Sequence, residues 1–145
     1  MQNIHFFSED ISFNLKKKTI LRNWIKEIIK RKGAHLNEIN YVFCSDAYLK
    51  QINIDYLDHH YFTDIITFDN SEEEDSIEAD IFISIDRVKE NSTEYSKNFE
   101  EELHRVMIHG VLHLLGYPDK TEEEQKVMRQ EEDQSLSLLL PFENQ

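Results

Sequence analysis

At 145 residues with 39% hydrophobic side chains, the chain is near the commonest domain size and too apolar to be disordered, so one domain over 1–145 is expected. A formal net charge of −13 argues against indiscriminate nucleic-acid binding, and the single cysteine, Cys44, excludes an internal disulfide and suits a reducing compartment. No basic-then-apolar leader opens the sequence and no apolar run approaches a membrane span, so a cytoplasmic protein with no membrane partner is expected.

Residues 2–7 are short, aromatic and weakly alternating, which predicts a first strand. Ile20, Leu21, Trp24, Ile25, Ile28 and Ile29 then recur at helical spacing, and Gly33 supplies a stop, so a helix is expected over about 14–32. Half of the chain's 16 basic residues lie between Leu15 and Gly33. Lys18, Arg22 and Lys26 belong to this local basic face on an acidic molecule. On charge alone it reads as a solvated helix surface.

Glu38 to Cys44 alternates, with Ile39, Tyr41 and Phe43 on one side, and predicts a strand in which Cys44 is a small core residue. Ser45-Asp46 offers a helix N-cap, and Tyr48, Leu49, Ile52 and Tyr56 make a helical stripe to about Leu57. Leu57 to Phe62 is a polar, histidine-bearing connection. Two strands follow, at 64–68 and 77–85, separated by an acidic turn over 70–76 that reads as a hairpin tip. Asp86 can cap a short helix over about 87–95.

The last third is helical. Glu100 to Leu115 is nearly all-round apolar after Arg105, as a central buried helix would be, and Gly116 and Pro118 end it. Thr121 and Glu124 form a capping box for a final helix running to about Leu140. The order of elements predicts an α+β fold: a small, about four-stranded mixed sheet packed by helices.

The chemistry concentrates at the end of the central helix. His109 and His113 are four residues apart, which places both imidazoles on one helix face within reach of one metal ion. Two buried imidazoles would otherwise each need partners for their polar atoms. Asp119 follows the turn at once, and because Thr121 with Glu124 can cap the next helix, its carboxylate is free to be a third ligand. Two His and one carboxylate is a ligand set of catalytic zinc sites, with one position left open for water. The zinc-protease helix needs Glu directly after the first His; Gly110 stands there instead, which disfavours a peptidase. A glycine inside a buried helix costs about 1 kcal/mol relative to Ala, so close approach of substrate or a neighbouring strand is expected at Gly110.

The run His109-Gly110-Val111-Leu112-His113-Leu114-Leu115-Gly116-Tyr117 resembles the HGxLHLxGYDH signature of the YbeY-type rRNA-maturation endoribonucleases. Thr63-Asp64-Ile65-Ile66-Thr67-Phe68 is similar to that family's TDVLSF segment, and Ala79-Asp80-Ile81-Phe82-Ile83-Ser84 to its GDIxIS segment. Glu122 to Glu132, with Met128, resembles its acidic tail helix. The family's third metal-binding His falls at Asp119, and Pro118 replaces an Asp. The family's usual Arg after the tyrosine at Tyr56 is Leu57 here, so its phosphate contact does not transfer. Arg105 could substitute for it, or pair with Glu101 or Glu102.

The resemblance implies a single-strand-specific, metal-dependent endoribonuclease in small-subunit rRNA processing and ribosome quality control, with rRNA and the small subunit or its proteins as partners. It implies one zinc ion on His109, His113 and Asp119; the harder oxygen ligand also admits another divalent metal. The basic face at Lys18, Arg22 and Lys26 could then guide the RNA backbone. Two other readings compete: a different zinc hydrolase, and a non-catalytic ribosome-assembly factor with a structural metal.

Overall fold

The computed structural model describes residues 3–60 and 62–144. In chain order the elements are β1 (Ile4–Ser8), α1 (Lys18–Arg31), β2 (His35–Cys44), α2 (Asp46–Leu57), β3 (Ile65–Asp69), β4 (Ser76–Ser84), α3 (Ile85–Glu94), α4 (Phe99–Leu114), α5 (Glu122–Ser137) and α6 (Leu140–Glu143). The strands form one mixed sheet in the order β1-β2-β4-β3. β1, β2 and β4 run parallel, and β3 pairs antiparallel with β4 through the expected hairpin.

Alternation in the strands divides the apolar residues between two faces. Ile39, Tyr41 and Phe43 of β2 and Ile77, Ala79, Ile81 and Ile83 of β4 share the main core with the apolar sides of α1 and α4. The opposite face carries a smaller cluster, in which Cys44 and Ile66 meet Leu49 of α2, with Phe68 and Phe82 beside them. Cys44 is thus the buried core residue expected, and burial pushes its thiol up to about 12. α4 is fastened to the sheet at its middle, where the Tyr41 hydroxyl donates to the Met107 carbonyl at 2.9 Å.

The element boundaries depart from expectation for local reasons. β1 runs Ile4–Ser8 rather than 2–7, and residue 2 lies outside the described residues. α1 begins at Lys18, not near 14, because Lys17 takes a left-handed conformation (φ 61°) that turns the chain into the helix. β2 starts at His35, three residues before Glu38. α3 is capped by Ser84, whose Oγ accepts from the Arg87 amide at 3.1 Å. Asp86 instead serves α2, accepting from the Asp46 amide at 2.9 Å. α5 stops at Ser137, and the short α6 follows with Pro141 in its first turn, where a missing amide proton does least harm. The expected caps at Ser45 and at Thr121 with Glu124 both form.

Candidate metal centre

α4 delivers the two imidazoles. His109 and His113 sit one turn apart near its C-terminal end, ring centroids 4.5 Å apart and nearly perpendicular. Gly110, between them, lies against β3 and β4. A Cβ there would stand 3.0 Å from Ile65 Cδ1, 3.2 Å from Thr67 Oγ1 and 3.3 Å from Ile81 Cδ1. The neighbour expected at that glycine is the sheet, and the close approach brings the His face of α4 down beside the start of β3.

The helix ends in a tight reversal. The Tyr117 amide donates back to the Leu112 carbonyl at 3.1 Å, and Gly116 supplies the left-handed backbone (φ +104°) that the reversal needs. Asp119 therefore returns over the last turn of α4. Its Oδ2 lies 3.4 Å from His109 Nε2 and 3.3 Å from His113 Nε2. Asp119 takes no part in capping α5 through its side chain; Thr121 does that, while the Asp119 carbonyl accepts from Gln125 at 3.2 Å.

The three groups offer donor atoms all within 4.8 Å of one another. Four donors about 2.0–2.1 Å from a tetrahedral ion stand about 3.3–3.4 Å apart. The two imidazole-to-carboxylate distances match that spacing, so the residues fit a divalent ion of zinc's size. Two neutral nitrogens and one anionic oxygen also fit a borderline metal better than a hard one.

A fourth residue organises the centre, and the sequence reading passed over its role. Glu132 reaches in from α5, and its Oε2 lies 2.6 Å from His109 Nδ1. This contact leaves Nε2 of His109 turned toward Asp119 and His113. Glu132 Oε1 accepts from Arg105 at 2.8 Å, and Arg105 also donates to Asp133 at 2.7 Å. Burial works against the charge on Glu132, but the hydrogen bonds from His109 and Arg105 outweigh it and hold the carboxyl below its usual range. The signal was present, though faint: Met128, Glu132 and Ser135 are the buried residues of α5, at helical spacing.

These positions correct the expectation for Arg105. Its partners are Glu132 and Asp133 on α5, not Glu101 or Glu102, and its guanidinium is occupied by carboxylates rather than presented to the cleft.

The donors stand at one side of a cleft of about 770 Å³, walled by Asn53, Leu57 and His59 from the end of α2 and by Thr63 to Thr67 leading into β3. Asp64 lines it too; burial pushes its carboxyl above the usual range, against the opposing influence of His109. Leu57, where the resemblance implies an Arg in the family, lines this cleft, and so does Lys120. Lys18, Arg22 and Lys26 are not brought to it. They ride on α1, where Arg22 donates to the Ile4 carbonyl at 2.8 Å and covers the Phe6 ring. Among the described residues no helix is long and apolar enough to cross a membrane.

Comparison with known proteins matches residues 3–139 to the family model described as Endoribonuclease YbeY. A relative of that name from Cytophaga hutchinsonii is 53% identical over 137 residues, covering 94% of this chain and 96% of its own. One from Amoebophilus asiaticus is 48% identical, covering 90% of this chain and 88% of its own. A third, from Christiangramia forsetii, is 44% identical, covering 93% of each. The solution structure of a Thermotoga maritima protein superposes with a TM-score of 0.66 at 27% identity, over 94% of this chain and 88% of that one.

Proposed function

The chain belongs to the YbeY endoribonuclease family, and from that premise we propose that it cuts phosphodiester bonds in single-stranded RNA during maturation of small-subunit rRNA. The observation that carries this reading is the donor triad His109, His113 and Asp119, set at the side of an open cleft rather than sealed in the core. A structural ion is normally enclosed by four protein ligands; three ligands beside a cleft leave room for substrate.

His109, His113 and Asp119 would hold the metal, zinc first among the divalent ions that the set admits. The bound ion supplies Lewis acidity beside the scissile phosphodiester. Glu132 fixes the tautomer and the direction of His109, and Arg105 fixes Glu132 in turn. Leu57 and Asn53 shape the facing wall, where an RNA strand would lie. With a net charge of −13 the protein gains little from long-range attraction to RNA, which favours a ribosomal protein of the small subunit as a second contact in the cytoplasm. The same docking would suit a role in ribosome quality control.

The test is cleavage of unstructured and duplex RNA by purified protein supplied with zinc, manganese or magnesium. Cutting of the single strand, abolished by His113→Ala, is the expected result. Absence of cleavage with every metal would overturn the nuclease reading. If His109→Ala merely lowered thermal stability and left ribosome maturation intact, the assembly-factor reading would replace it.

A further inference from the structure

Beside the metal cleft lies a surface that the reading so far does not use. Seven large apolar side chains are exposed among the described residues, and three of them, Tyr56, Leu57 and Phe62, fall within one seven-residue stretch. Tyr56 is 72% exposed and Phe62 48%. Tyr56 is steadied by an edge-on contact with Phe68, ring centroids 5.8 Å apart at 75°. Exposed large apolar side chains are ordinary when scattered singly; three in one short stretch mark a candidate contact surface.

Phe62 is accompanied by cations. Lys50 Nζ sits 4.5 Å from the Phe62 ring centroid and the Arg87 guanidinium 5.2 Å from it. Arg87 is already held by Asp46 at 2.7 Å and by Glu90 at 3.4 Å. Lys50 is in no ion pair among the described residues, so its charge is available to a ligand. The stretch is continuous with the cleft: Leu57, His59 and Thr63 line the cleft wall, with Tyr56 and Phe62 beside them in sequence. Exposed rings with an available cation, next in sequence to residues that wall the cleft proposed for a phosphodiester, fit unpaired bases and their phosphates better than they fit an apolar protein face.

We infer that Tyr56 and Phe62, with Lys50, form a stacking platform for the bases of the single strand entering the metal cleft, an inference that rests on the RNA reading above. Bases already stacked in a duplex cannot use such a platform, so it would supply preference for single strands. It would also offset the loss of the phosphate-contacting Arg at Leu57.

The experiment measures fluorescence anisotropy of a labelled 12-nucleotide single-stranded RNA, 2′-O-methylated throughout to resist cleavage, with the zinc-loaded protein. A duplex of the same sequence serves as competitor. Tyr56→Ala and Phe62→Ala should each weaken single-strand binding about fivefold to a hundredfold and reduce the advantage over duplex. Tyr56→Trp and Phe62→Tyr should retain it, and Lys50→Ala should lower the salt slope by about 0.7. Zinc content and melting temperature should not change in these surface variants. A Tyr56→Ala/Phe62→Ala double variant that binds within twofold of the parent would overturn the platform. So would a variant that keeps RNA affinity but no longer sediments with small ribosomal subunits, which would make the surface a protein dock. If the parent protein neither binds nor cuts any RNA, the nuclease reading itself fails, and that outcome is distinct from both.

Discussion

Nδ1 of His109 lies 2.6 Å from Oε2 of Glu132, and the other oxygen of that carboxylate is held by Arg105 at 2.8 Å. α4, which carries the candidate ligands His109 and His113, and α5 are thus locked through one buried carboxylate, 5% exposed. Glu132→Gln keeps the shape and removes the anion. It should lower zinc affinity by about 10–100-fold, the usual cost of losing the partner behind a ligating His. Arg105 keeps Asp133, so the fold should survive. Competition with a chelator measures the affinity, and an unchanged value would remove Glu132 from the centre.

How legible this centre was in the sequence depends on where each group sits. His109 and His113 share one helix, so spacing alone placed them together. Asp119 follows them across a turn that Gly116 and Pro118 announce, and the box at Thr121 and Glu124 made its carboxylate available. Glu132 lies on a separate helix, among many acidic residues; only its place on the buried face of α5 sets it apart from Glu131. Arg105 was misplaced for the same reason, since helical spacing proposes neighbours on its own helix and the packing of α5 supplied stronger ones. Strand alternation gave the strands and the hairpin but not the parallel order β1-β2-β4, which depends on crossovers through α1 and α2. Position alone offers Asp86 as the cap of the helix that follows it; that it accepts from the first amide of α2 instead is a tertiary fact.

Gly110 offers a test of close packing. Alanine there would gain about 1 kcal/mol of helix propensity, but its methyl would meet Ile65, Thr67 and Ile81 at 3.0–3.3 Å. Overpacking of this kind costs about 1–3 kcal/mol. Gly110→Ala should therefore lose about 1 kcal/mol net in urea unfolding. Because the nearest atom is Ile65 Cδ1, adding Ile65→Val should recover most of the loss. A single variant about 1 kcal/mol more stable than the parent would show that the sheet yields at no cost.

The buried His104, 7% exposed and edge-on to Trp24, gives the fold an acid sensitivity separate from the metal. Burial pushes its pKa down; the nearby carboxylates Glu100 and Glu143 oppose this, and Lys17 adds to it. The unfolded chain takes up the proton at about 6.5, the folded chain only at lower pH. Over that interval the unfolded state binds more protons, so the contribution is complete above about pH 6.5 and is lost as pH falls through the folded value. His104→Gln cannot titrate. The stability difference between parent and variant, measured by urea unfolding from pH 7.5 to 5, should shift in the variant's favour as pH drops. A constant difference would show that His104 is protonated equally in both states.

Asp119 stands where the signature that this chain resembles places a third histidine, and the open ligand position proposed for the metal depends on it. Its Oδ2 sits 3.3–3.4 Å from both imidazoles while its side chain is left out of the α5 cap. Asp119→Ala removes a ligand outright, so metal affinity should fall by more than the 10–100-fold expected for a supporting residue. Asp119→His exchanges one competent zinc ligand for another and should keep the ion. Elemental analysis after dialysis reads this directly. A second readout is thermal: zinc at about a hundred times its dissociation constant adds about 2.7 kcal/mol to the folded state. The parent and Asp119→His should melt higher with zinc and Asp119→Ala should not, whereas without metal all three should melt alike, because the turn holding residue 119 is fixed by Gly116 and by the Thr121 cap. Full metal content in Asp119→Ala would leave His109 and His113 without the third ligand assigned to them, and the open coordination position would have to be argued afresh.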